Sequence, residues 1–76
     1  MSWDRTGQTI EGMYIGKYKA VGTVESSRVK HGGGVVHYVI LSEEVKMAFD
    51  IVKYFPGDLV VIHEENVTNV IQEALQ

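Results

Sequence analysis

The chain has 76 residues, of which 45% are apolar, with no cysteine, one proline and a net charge of −3. Disulfide stapling and a thiolate metal site are excluded, and so is a disordered chain, because this much apolar surface offsets the entropy of ordering. One domain is left, burying only about 60% of its unfolded surface, and at that size self-association is the expected reinforcement.

Charge is uneven along the chain. Residues 1–40 hold five basic and three acidic side chains, a balance of +2, whereas residues 41–76 hold two basic and seven acidic, a balance of −5. The longest apolar runs, such as Leu59-Val60-Val61-Ile62, reach four residues, against the roughly twenty of a membrane-spanning helix. No membrane span is expected. The start, Met1-Ser2-Trp3-Asp4, lacks the apolar stretch of a secretory signal, so the cytoplasm is the expected address.

Residues 1–8, mostly polar and turn-forming types with a lone aromatic, Trp3, read as a flexible arm, and residues 9–76 as a single β-rich domain. Thr9 to Tyr14 suits a first strand in which Gly12 marks a bulge or close packing, and Gly16 offers a turn. Tyr18 to Val29 alternates β-branched and polar residues, the pattern of a long twisted strand exposed on one side, with Gly22 placed to kink it. Arg28, Lys30 and His31 then lead into Gly32-Gly33-Gly34, three glycines that a hairpin turn readily accommodates.

Val35 to Leu41 carries the strongest strand signal, almost every residue being β-branched or aromatic. Val35, His37, Val39 and Leu41 share one side and Val36, Tyr38 and Ile40 the other, which predicts a central strand or one lying in an interface. Met47, Phe49 and Ile51 alternate with Lys46, Ala48 and Asp50, predicting a half-buried strand or an irregular edge. Tyr54 to Asp58 reads as a turn around Pro56-Gly57, and Leu59 to His63 as a further strand. From Asn66 to Gln76, Val67, Val70, Ile71 and Ala74 fall at helical spacing behind an Asn66 cap, predicting a short terminal helix. The rival is a last strand over Val67–Ile71, rich in β-branched residues. The fold class is mainly β: a small five-stranded antiparallel barrel or curled sheet, SH3-like or OB-like, with a short C-terminal helix.

The three glycines are not a phosphate-binding P-loop, which needs a following Gly-Lys-Ser/Thr at a helix start, nor a dinucleotide fingerprint, since a strand follows. Arg28 and Lys30 are two apart and share a strand face, and Lys17 and Lys19 do likewise. With Tyr14, Tyr18, Tyr38 and Trp3 as stacking partners, this is the recipe for single-stranded RNA or DNA: cations for phosphates and rings for bases. The pI of 5.5 confines such a surface to a local patch. The candidate binding residues are Lys17, Lys19, Arg28, Lys30, His31, Gly32, Gly33, Gly34 and Tyr38.

His31, His37 and His63 match no zinc-ligand spacing, so no metal and no other cofactor is expected. His37, on an apolar face, reads as a hydrogen-bonded core or interface residue. Ser26 and Ser27 lack a nucleophile-elbow sequence, and Glu43-Glu44 and Glu64-Glu65 read as solvated strand-end acids. The expectation is therefore a non-enzymatic binding module. There are two alternatives: a structural or regulatory adaptor assembling through apolar strand 35–41 and the terminal segment, and a homo-oligomer that uses the same basic residues to hold a small anionic ligand under the glycine loop.

Overall fold

The computed structural model describes residues 3–74; the first two residues of the expected arm and the last two of the expected terminal helix lie outside the described residues. The described residues form seven strands: β1 (Thr9–Tyr14), β2 (Tyr18–Val29), β3 (Val35–Leu41), β4 (Val45–Lys46), β5 (Val52–Tyr54), β6 (Leu59–His63) and β7 (Val67–Gln72). Five of them form one antiparallel sheet in the order β6-β3-β2-β1-β7, while β4 and β5 make a separate hairpin. The only helices among the described residues are 3₁₀ turns at Ala48–Asp50 and Glu64–Asn66, and no helix is long and apolar enough to cross a membrane.

β6 and β7 follow one another through only the three residues Glu64–Asn66, yet lie at opposite edges of the sheet. The sheet must therefore curl until its edges approach. Gly12 on β1 permits this, since a Cβ there would lie 2.9 Å from both the Asn66 carbonyl oxygen and Ile62 Cγ2. β6 and β7 do not pair with each other. Of the two expected forms, the closed barrel is corrected to the open curled sheet.

The concave side holds Ile10, Ala20, Val24, Val39, Leu41, Val45, Val60 and Ile62. Cross-strand partners in an antiparallel ladder project to one side, and the register Val24↔Val39↔Val60 stacks three of them in one row. Burying each such aliphatic side chain is worth about 1.5–3 kcal/mol. The expected arm is tied down in its described part: the Gly7 amide donates to the Val24 carbonyl and the Val24 amide to the Gln8 carbonyl, each at 2.8 Å.

The β1–β2 connection is a two-residue turn in which the Lys17 amide donates to the Tyr14 carbonyl at 3.0 Å. Ile15 (φ 48°) and Gly16 (φ 70°) both have positive φ, as a type I′ turn requires. A β-branched residue is strained there by roughly 1–2 kcal/mol, and Ile15, 62% exposed, recovers little through burial. Ile15→Asn is thus expected to stabilise the fold by about 1 kcal/mol, read as a higher urea midpoint at unchanged m-value.

Two expectations need correction. The alternation from Lys46 to Ile51 forms a hairpin tip instead of a strand: Phe49 (φ 62°) and Asp50 (φ 58°) are left-handed, the Met47 amide closes on the Ile51 carbonyl at 2.8 Å, and Phe49 is 95% exposed. An alternating pattern makes a strand only where one of its sides meets a core along its length; here Met47 packs on the core, but Phe49 and Ile51 stand exposed. The terminal segment is β7 instead of a helix, paired to β1 through Gly12↔Val67, Glu11↔Asn69, Ile10↔Val70 and Thr9↔Gln72. Bulges separate these pairs, so Val67 and Val70, three apart, both pack on the core. A bulged strand has reproduced helical spacing.

Candidate functional site

The convex side of β2, β3 and β6 presents rows set by register. Arg28↔Val36↔His63 form one row and Ser26↔Tyr38↔Val61 the next. A bulge between Val24 and Ser26 shifts the alternation of β2 so that Ser26 and Arg28 face outward. The Arg28 guanidinium sits over the Tyr38 ring, 5.9 Å from its centroid, within cation–π range. Lys30 reaches across to His63, Nζ to Nδ1 at 3.2 Å. A lysine ammonium only donates, so Nδ1 accepts and Nε2 carries the outward N–H of the neutral ring.

The β2–β3 turn explains its glycines structurally. Gly32, Gly33 and Gly34 have φ of 88°, 104° and 83°, a region that side chains disfavour. The turn is closed by the Lys30 amide on the Gly34 carbonyl at 2.9 Å and the Gly33 amide on the Lys30 carbonyl at 3.0 Å. A Cβ on Gly34 would lie 2.9 Å from Lys30 Cε, whereas Gly32 and Gly33 face open space. Gly34 thus gives the Lys30 stem its path toward His63, and the outer two leave the tip unobstructed beside exposed His31.

Lys17 and Lys19 do not join this cluster. They lie at the opposite end of β2, nine residues before Arg28 in the case of Lys19, or about 30 Å along a strand. Lys17 stands over Tyr18 at 5.6 Å. Lys19 lines a shallow depression of about 330 Å³ with Val21, Glu43, Glu44 and Lys46, whose carboxylates offset its charge. The structure brings together Arg28, Lys30 and Tyr38 from the sequence-level set, with His31 and Gly32–Gly34 at the adjoining turn, and adds His63. Sequence reading missed His63 in this role because its link to Lys30 runs through cross-strand register.

On the concave side His37 is fully buried and has both ring nitrogens bonded. Its Nε2 lies 2.7 Å from Glu64 Oε1, and its Nδ1 lies 2.7 Å from Ser27 Oγ. A carboxylate only accepts, so Nε2 donates to Glu64, while Nδ1 pairs with the Ser27 hydroxyl. Arg5 clamps Glu64 with two bonds, from Nε at 2.8 Å and from a terminal nitrogen at 2.9 Å. Its amide also donates to Ser27 Oγ at 3.1 Å. The chain continues from Arg5 to Gln8 and from Gln8 to Glu73. The network joins the amino-terminal segment, β2, β3 and the turn before β7, and no buried side-chain polar atom is left unpartnered among the described residues.

Hydrogen bonds from Arg5, followed by that from His37, hold Glu64 down to a pKa of about 2 against burial, which acts the other way. A carboxyl depressed on folding contributes stability above its unfolded pKa and loses it as pH falls through the folded value. The window runs from about pH 4.5 to about pH 2. The Glu64 side chain is 40% exposed, and solvent screening reduces the contribution to roughly 1 kcal/mol. Urea unfolding at pH 5 and pH 2 should show the wild type losing about 1 kcal/mol more than Glu64→Gln.

No group of three or more histidine, aspartate or glutamate side chains is placed to hold a metal among the described residues. The chain matches no protein-family model, no curated protein and no solved structure.

Proposed function

We propose that this chain is a small non-enzymatic binding module of SH3-like topology that takes single-stranded nucleic acid on the convex side of β2, β3 and β6. The topological part rests on the sheet order and on the single 3₁₀ turn that joins its two edges. The functional part is carried by one observation, the Arg28 guanidinium over outward Tyr38 with the Lys30–His63 pair on the neighbouring row. A base stacks on the Tyr38 ring, which is sequence-tolerant because every base has a π face. Arg28, Lys30 and the His63 N–H take adjacent phosphates, and the bare Gly32-Gly33 tip lets the backbone pass. Lys17 and Lys19 belong to a separate contact at the far end of β2.

Fluorescence anisotropy with a short labelled oligonucleotide tests this reading. Arg28→Glu with Lys30→Glu should weaken binding more than tenfold. It should also flatten the slope of log affinity against log salt by about 1.4, at about 0.7 per phosphate contact for single strands. Unchanged affinity in this variant removes the proposal. Competition by inorganic phosphate at constant ionic strength would point to the small-anion reading instead.

A second reading, a protein-binding module, no longer rests on strand 35–41, which is flanked on both sides, but on the almost fully exposed Phe49 with Ile51 at 62% exposure near it. Apolar side chains at a protruding tip suit a protein pocket, and binding through them would tolerate salt.

A further inference from the structure

The two edges of the sheet differ in how they are finished. β7 is interrupted by two bulges in its ladder with β1 and carries Thr68, Asn69 and Gln72. Bulges and polar side chains are the devices by which edge strands avoid pairing with other chains. β6 has no bulge and, His63 apart, no polar side chain. Its ladder with β3 is regular through all five residues, and Leu59-Val60-Val61-Ile62-His63 contains no acidic residue, lysine, arginine, proline or glycine. Leu59 and Val61 are 50% and 37% exposed. No side chain among the described residues hydrogen-bonds to the β6 backbone.

We infer that β6 is a self-association edge, on which a second copy of this chain adds its own β6 antiparallel about a two-fold axis through Val61. Only an extended strand satisfies a row of open backbone groups, and this one is complementary to itself. Val61 faces Val61, Val60 faces Ile62 and Leu59 faces His63, so each apolar position meets an apolar or imidazole side chain. β3, flanked on both sides, has no edge to offer, so assembly expected from strand 35–41 falls to its neighbour. The register also sets Asp58 of one copy near Glu64 of the other. Like charges repel across a pair, and salt therefore strengthens this assembly while weakening any nucleic-acid contact. The inference does not rest on the nucleic-acid reading, although His63 belongs to both surfaces.

Sedimentation of the full chain over a concentration series tests it. The apparent mass should rise from 8.5 kDa toward twice that value, at lower concentration in high salt. Val61→Lys and Leu59→Lys should stay at the monomer mass throughout, while Asn69→Lys on β7 should behave as the wild type. Should the lysine variants lose their far-UV circular dichroism, amide exchange in the wild type decides: Val60–His63 should slow as concentration rises. A wild type that stays monomeric, loss of assembly in Asn69→Lys but not in folded Val61→Lys, or exchange indifferent to concentration would overturn the inference.

Discussion

Gly22→Ala is expected to destabilise the fold more than any other glycine substitution in the sheet, by about 3 kcal/mol. A Cβ at this position would lie 2.2 Å from the Ile40 carbonyl oxygen and 2.7 Å from Val39 Cγ1. Gly22 is itself buried in the middle of β2, opposite Leu41 on β3. The obstructing atoms include backbone, so β2 and β3 must separate. Overpacking of this kind costs about 3 kcal/mol or more, against a total of about 4–11 kcal/mol for a domain of this length. The melting temperature should fall by roughly 12–24 °C. Gly33→Ala is the informative comparison: nothing lies within 4 Å of its Cβ, so it carries only the strain of φ 104°, about 1–2 kcal/mol. Calorimetry that ranked the two alike would refute the steric account of the β2–β3 pairing.

His37→Ala is the second large effect. It opens a cavity at a fully buried position and strips Ser27 and Glu64 of a common partner, costing about 3 kcal/mol. Because the network reaches Arg5, the loss should spread to the amino-terminal segment. The Gly7 amide, bonded to Val24, should exchange faster than in the wild type by more than the global loss of stability accounts for. A loss below about 1 kcal/mol would mean that the ring is dispensable to the fold.

Much of the sheet is legible in the residues. β2 and β3 lie where β-branched runs meet three glycines, because backbone conformation and side-chain type agree there. The tail was legible only as a rival reading: its β-branched residues pointed to the strand that forms, while a bulge that inserts an extra residue turned a period of two into the three-residue spacing of Val67 and Val70 and favoured a helix. The Phe49 tip misled for a related reason, its alternation running past the end of any packing partner. His37 stood out as a histidine among valines and leucines, but its partners Ser27 and Glu64 lie 10 and 27 residues away in the chain and only the fold joins them. On the convex side Arg28, Lys30 and Tyr38 were readable as a set, whereas Lys17 and Lys19 were drawn in by their two-residue spacing, which fixes a face but not a position along the sheet, and they fall at the other end of a long strand.

The central claim is that Tyr38, Arg28, Lys30 and His63 form a surface for single-stranded nucleic acid. Its most direct test is an amide and aromatic NMR titration with short single-stranded RNA and DNA at low salt, repeated at high salt. The account predicts shifts concentrated at residues 26–38 and at His63, with the Tyr38 ring resonances moving upfield on stacking, all reversed by salt. Spectra that stay still at low salt, or shifts that centre on Phe49 and survive high salt, would contradict it.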